Sequence, residues 1–280
     1  MEFLELLKAV LFGIVEGITE WLPVSSTGHI ILLDEFIKLK VSSEAFKDMF
    51  DVVIQLGAIL AVVVLFFNKL NPISPKKNAE EKKNTWLLWA KVVVAVLPSA
   101  VIGILFEDIL DKYLYSYIVV ALALIIYGVA FIFVEKKNQN KPLQIKSVHD
   151  IDFKTAIFIG CFQCLSLIPG TSRSGSTILG AILLGVGRST GAEFSFFLAI
   201  PTMLGASALK MLKFLLEGVS VTATDIGVLV VGCLVSFVVS LLVIKALMDY
   251  VRRHSFSAFG WYRIVLGVLV IGYFVIKTLV

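Results

Sequence analysis

Two stretches of this 280-residue chain set reactive side chains inside otherwise apolar sequence. The first, Gly13 to Ile30, reads GIVEGITEWLPVSSTGHI. Glu16 and Glu20 are four residues apart, so on a helix both carboxylates share one face. After Pro23 come the hydroxyls of Ser25, Ser26 and Thr27, then Gly28 and His29; Ser26 and His29 share a face if a new helix starts there. The second, Gly160 to Ile178, reads GCFQCLSLIPGTSRSGSTI. A shift of 147 residues lays Gly13 on Gly160, Glu16 on Gln163 and Gly28 on Gly175. One residue of slack lays Pro23 on Pro169, Ser26 on Ser172 and Thr27 on Arg173. The frames match while the charges differ: carboxylates and an imidazole in one copy, a guanidinium in the other.

Those residue types suit phosphoryl transfer. A helix that starts just after each break offers unpaired N–H groups and a positive dipole end to an anion. Arg173 adds a fork for phosphate oxygens, and Gly170 and Gly175 let the backbone approach a ligand. Glu16 and Glu20 repel phosphate but can hold a hard divalent cation that phosphate then shares. Ser26 is a nucleophile, and His29 is its base or a nucleophile itself. Plainer roles compete at several positions. Ser25, Thr171 and Ser172 read equally as helix N-caps, and Glu5 and Lys8 as side chains that reach water from a helix end. His149 and His254 fall in polar loops and receive no role. Gln55, Glu193 and Ser195 divide evenly between supporting the site and lying at the interface. The Cys161–Cys164 pair and Cys233, set in apolar runs, read as packing residues.

The elements that position these groups belong to a membrane. The chain is 58% hydrophobic with a mean hydropathy of +0.94, too apolar for a soluble domain. Its net charge of +4 lies in short loops and gives no nucleic-acid signal. The acidic start, MEFLELLK, lacks the features of a signal peptide. Runs 3–22 and 24–33 form one hairpin of a long and a short helix, and 155–168 with 175–187 form another. The short members fall below the roughly 20 apolar residues that a span needs. The expected fold is all-α: six transmembrane helices, at 50–67, 86–106, 117–134, 193–213, 226–248 and 259–279, plus two re-entrant helical hairpins. Pro98 predicts a kink in the second span, and 107–116 reads as a short acidic link.

The offsets between matching spans stay near those of the motifs, which makes the single domain, 1–280, an internal repeat: about 1–137 and about 150–280. Lysine and arginine favour the loops 68–85, 135–154 and 249–257, which are therefore assigned to the cytoplasm. Three spans per half then invert the second half relative to the first, so the hairpins dip from opposite sides and their tips meet. Trp86, Trp89 and Trp261 are expected at the cytoplasmic interface, and Tyr113, Tyr115 and Tyr117 at the outer one.

The motifs EGITEWLPVSSTGH (16–29) and PGTSRSGST (169–177) resemble those of the undecaprenyl-diphosphate phosphatase family, the bacterial bacitracin-resistance type. FDVVIQLG (50–57), GCFQCL (160–165) and EFSFFLAIP (193–201) extend the resemblance over nearly the whole chain. It implies an inner-membrane enzyme that hydrolyses undecaprenyl diphosphate to the monophosphate and inorganic phosphate, recycling the lipid carrier for cell-wall synthesis. It implies a divalent cation, Mg2+ or Ca2+, as cofactor, held by Glu16 and Glu20. Catalytic roles fall on Glu16, Glu20, Ser26 and His29, and substrate binding on Arg173, Thr27, Ser172, Ser174, Gly175 and Thr177. The active site is expected toward the periplasm. Partners are the lipid substrate and membrane lipids, with a homodimer open and no nucleic acid. The alternative is a secondary transporter or lipid flippase, because inverted repeats with broken helices also build transporters.

Overall fold

A computed structural model describes residues 2–114, 116–138 and 144–279, apart from the side chains at 107, 108, 111 and 279. Tyr115 therefore lies outside the described residues. The protein is all-α: α1 (Glu2–Thr19), α2 (Ser26–Phe36), α3 (Glu44–Leu65), α4 (Phe67–Leu70), α5 (Ala79–Leu114), α6 (Tyr117–Asn138), α7 (Phe153–Cys164), α8 (Arg173–Leu183), α9 (Arg188–Leu216), α10 (Ala223–Arg253) and α11 (Ser257–Leu279). Six of these, α3, α5, α6, α9, α10 and α11, are long and apolar enough to cross a membrane. Boundaries shift from expectation by several residues at many helix ends, and one expected link is absent. The backbone at 107–114 does not leave the helix as an acidic link; α5 runs on to Leu114. A short run of charge at a helix end does not stop the helix, because water can solvate those side chains without breaking a backbone bond.

The long helices turn apolar faces outward. Leu122, Ile126, Val129 and Phe133 on α6, and Val230, Leu234, Val238 and Leu242 on α10, are exposed at helical spacing. In water such stripes would be aggregation surfaces; here they make a lipid-facing belt. The chain is a multi-pass membrane protein.

Two helix pairs, α1–α2 and α7–α8, each double back on themselves. At the open end of α1–α2, Lys8 Nζ donates to the Lys38 carbonyl (2.7 Å), and the Lys40 N–H donates to Glu5 (2.8 Å). Glu5 and Lys8 are thus staples of the hairpin mouth. At the open end of α7–α8, the N–H groups of Gln144 and Ile145 donate to the Gly185 carbonyl, and Gly187 N–H returns to Ile145. The two mouths lie at opposite ends of α10. The first adjoins its start, where Asp225 accepts from Ser42 N–H (3.1 Å). The second adjoins its end through Glu135, which accepts from Arg188 (3.0 Å) and from the Phe256 N–H (3.0 Å). A helix of 31 residues separates them by about 46 Å.

Packing between the halves is reciprocal. α1 lies on α10 and α7 on α5, while α3 meets α9 and α6 meets α11. Close approach of the first two pairs depends on glycine: a Cβ at Gly13 would meet the Gly232 carbonyl oxygen, and one at Gly160 that of Ala95. Pro98 sits inside α5 and Pro201 inside α9, each removing one helical hydrogen bond. Gln163, the counterpart of Glu16, bridges the residues just after them: its Nε2 donates to Ser99 Oγ (2.6 Å) and Thr202 Oγ1 (3.2 Å).

Candidate active site

The two breaks meet tip to tip. Both end in the same local device. Ser25 and Ser172 each take a φ of 75°, and each side chain accepts from the N–H three residues on, Gly28 and Gly175. Among the described residues these are the only non-glycines at positive φ. Such strain persists only where surrounding contacts fix it, and it clusters at functional sites. Gly170, at φ 90°, completes the second tip, where a side chain would strike the Val120 carbonyl. The N-cap reading of Ser25 and Ser172 is thus met. It also moves the register by one residue: the repeat partner of Ser26 is Arg173, each the first residue of its helix, rather than Ser172.

Between the tips, residues far apart in sequence bond directly. Ser26 Oγ donates to Glu20 Oε2 (2.7 Å). Arg173 donates to Glu20 Oε1 through Nε (3.2 Å) and Nη2 (3.0 Å), and through Nη1 to the Ser195 carbonyl (2.7 Å). Guanidinium and carboxylate are both buried, so the pair escapes the screening that weakens surface ion pairs. Nη1 also reaches Ser195 Oγ (3.4 Å), so of five guanidinium N–H donors the second on Nη2 is left for a ligand. Trp21 backs the group, 5.9 Å from its Cζ to the ring centre. Glu20, Ser26, Thr27, Ser172 and Arg173 line a cavity of about 220 Å³, with Gln55, Ser166, Gly170 and Thr202 among its other walls.

Other expected residues stand elsewhere. Ser174 Oγ donates to the carbonyls of Glu20 (3.0 Å) and Leu22 (3.2 Å), tying one tip to the other. Thr177 bonds back to the Arg173 carbonyl (2.9 Å) and to Ser195 Oγ (2.7 Å). Gly175 lies beneath its own N-cap. These three support the tip from behind; Thr27, Ser172 and Arg173 are the ones that reach the cavity. His29 is turned from Ser26. Its Nδ1 meets the Ser25 carbonyl and its Nε2 the Tyr262 hydroxyl, each at 2.7 Å. The expected direct His29–Ser26 contact is thus replaced by Ser26–Glu20, because three-residue spacing on the first turn of α2 leaves the ring closer to its own N-cap carbonyl. Of the evenly divided residues, Gln55 lines the cavity and Ser195 orients Arg173, whereas Glu193 pairs with Lys69 (2.6 Å).

Glu16, on α1, is fully enclosed one turn before Glu20, and its Oε1 has no partner. An unpaired buried carboxylate oxygen is expensive. Beside Glu20 it fits a hard cation that takes one or two carboxylates and completes its shell with phosphate and water. No group of three or more His, Cys, Asp or Glu side chains gathers among the described residues, so the protein alone would supply an incomplete shell.

Two residues not anticipated from sequence close the site. Tyr262 holds His29, and Arg263 is buried against both tips. The cost argument that singles out Arg173 in an apolar segment applies equally to Arg263. Its place next to Trp261 disguises it as part of an interfacial belt.

The family model described as "Bacitracin resistance protein BacA" matches residues 9–269. A protein of Enterococcus faecalis (strain ATCC 700802 / V583) named undecaprenyl-diphosphatase is 57% identical over 273 residues, covering 98% of this chain and 99% of that one. Proteins of the same name are similar at 59% identity in Lactiplantibacillus plantarum, over 97% of this chain and 98% of that one, and at 55% in Streptococcus mutans serotype c, over 100% and 99%.

Proposed function

The chain belongs to the bacitracin resistance protein BacA family, and we propose that it hydrolyses undecaprenyl diphosphate to undecaprenyl phosphate and inorganic phosphate. The single observation that carries this is the meeting of Glu20, Ser26 and Arg173 in one cavity, through direct hydrogen bonds between the two broken helices. A neutral or purely apolar ligand has no use for a guanidinium, a hydroxyl and a carboxylate aimed at one point.

In the mechanism, the isoprenyl tail lies among the outward-facing apolar helices and the diphosphate enters the cavity. Arg173 turns its uncommitted N–H, and the N-terminal amides of α8 turn theirs, toward the terminal phosphate. Ser26 Oγ attacks that phosphorus and passes its proton to Glu20, its bonded partner. The P–O bond to the lipid monophosphate breaks, Glu20 gives the proton it took to the departing lipid phosphate oxygen, and the lipid leaves. Water then attacks the phosphoserine, releasing inorganic phosphate and returning a proton to Ser26. His29, fixed by Ser25 and Tyr262, holds the cap that sets the direction of Ser26. Glu16 and Glu20 are the residues that would hold a divalent cation, which supplies charge neutralisation of the phosphate when bound.

In the membrane, the doubled-back pairs are re-entrant hairpins of an inverted repeat, about 1–137 and about 150–280, and the membrane is the bacterial inner one. The basic segments around Lys76 and Lys154 face the cytoplasm, and the cavity opens toward the periplasm. There the enzyme regenerates the carrier for cell-wall synthesis and confers bacitracin resistance by removing the diphosphate. The test is phosphate release from a C15 or C55 isoprenyl diphosphate by the purified protein in detergent. Release is expected, with loss on adding a chelator and recovery with Mg2+ or Ca2+. No release overturns the phosphatase; full release in chelator overturns the cation at Glu16 and Glu20.

A further inference from the structure

Arg263 lies in the second turn of α11 and has no exposed surface. Burying a guanidinium is costly unless its donors are used and an opposite charge is near. Its donors are used: Nη2 donates to the carbonyls of Gly170 and Thr171 (both 2.8 Å), Nη1 to that of Pro23 (3.1 Å), and Nε reaches Leu124 (3.5 Å). Its face lies on Tyr127, 5.6 Å from Cζ to the ring centre. No carboxylate pairs with it among the described residues, and every hydrogen-bond acceptor is main-chain. Two of those acceptor groups are the helix breaks themselves, one from each half.

We infer that Arg263 is a positioning residue for the phosphoryl transfer, clamping the two breaks together by their carbonyls so that the opposite edge of the second tip faces the phosphate. A trans peptide carries its C=O and N–H on opposite sides. With the Thr171 carbonyl drawn onto Arg263, the N–H of Ser172 points the other way, toward the cavity that Gly170, Ser172 and Arg173 line. Arg263 stands behind that strip, packed so closely under α8 that a Cβ on Gly175 would sit 3.1 Å from Nη1. Its charge adds to the positive end of the helix. The incoming diphosphate supplies the counter-charge that the clamp lacks. The inference rests on the phosphatase reading and deepens it by naming what aims the phosphate-binding edge.

A residue that merely glues the breaks together changes how much protein folds; a positioning residue changes what each folded molecule does. The experiment uses full-length Arg263→Gln and Arg263→Lys in detergent, counting folded protein by monodisperse elution and a cooperative melt. Turnover of a C15 isoprenyl diphosphate gives kcat and KM, and inorganic phosphate serves as an inhibitor. Arg263→Gln is expected to lose roughly 100-fold in kcat per folded molecule, the loss typical of removing one preorganised donor. KM, governed by the apolar tail, changes little, and inhibition by phosphate weakens in parallel. Arg263→Lys, keeping the charge without the fork, recovers part of kcat. A folded Arg263→Gln with wild-type kcat and phosphate inhibition overturns the clamp. If Gln fails to fold, the Lys variant decides: wild-type kcat overturns the clamp, and reduced kcat at unchanged KM supports it. A wild-type protein that releases no phosphate overturns the phosphatase reading instead.

Discussion

At the residue scale, Glu20 carries two duties. One carboxylate oxygen receives Ser26 and the other receives Arg173, so the proposed nucleophile, base and anion-binding group form one bonded set. Groups that act as a unit are not additive when removed. Glu20→Gln and Ser26→Ala are each expected to cost about 10²–10⁴-fold in kcat, and the double variant little more than the worse single. Fully multiplied losses in a double-mutant cycle would separate the two residues. The sequence shows why Glu16, Glu20 and Arg173 stand out, since charge inside apolar runs has few other uses. It does not show partners: spacing alone pairs Ser26 with His29, whereas the fold gives Ser26 to Glu20 and His29 to Tyr262, more than 200 positions away in the chain. Contacts of that range leave no periodic trace.

At the element scale, the breaks carry the design. Pro23 and Pro169 mark them in the sequence, and the N-caps follow from hydroxyls placed just before each new helix. Their strained geometry is not legible, because Ser has no preference for φ 75°; it is imposed by what surrounds the tips. Gly170 shows the same constraint in the reverse sense, being the residue that such a φ favours. Gly170→Ala is expected to cost at least about 2 kcal/mol from backbone strain and the contact with Val120. It should lower the melting temperature in detergent and the turnover together. A variant with an unchanged melt and rate would mean that the tip adapts freely. The end of α5 was less readable, since acidic residues can close a helix or continue it with equal ease.

At the scale of the whole molecule, hydropathy alone makes the six long helices readable; five of the expected runs lie within their helices, and the run 50–67 outlasts α3, which stops at Leu65. The reciprocal packing of α1 on α10 and α7 on α5 becomes readable once glycines are seen to face the partner helix. Placement in the bilayer rests on loop charge. A cysteine at Lys76 is expected to resist a membrane-impermeant maleimide applied to cells with the outer face exposed, and one at Lys40 to react. Labelling of Lys76→Cys from outside would reverse the orientation and put the cavity on the other face.

The convergence of two distant pieces of chain on one phosphate is tested most directly by Arg173→Ala, assayed as phosphate released per folded molecule from an isoprenyl diphosphate. Arg173 touches Glu20 from 153 positions away in the chain, so the account predicts release at least about 10²-fold below wild type, with elution and melt still those of a folded protein. Release at the wild-type rate would contradict it.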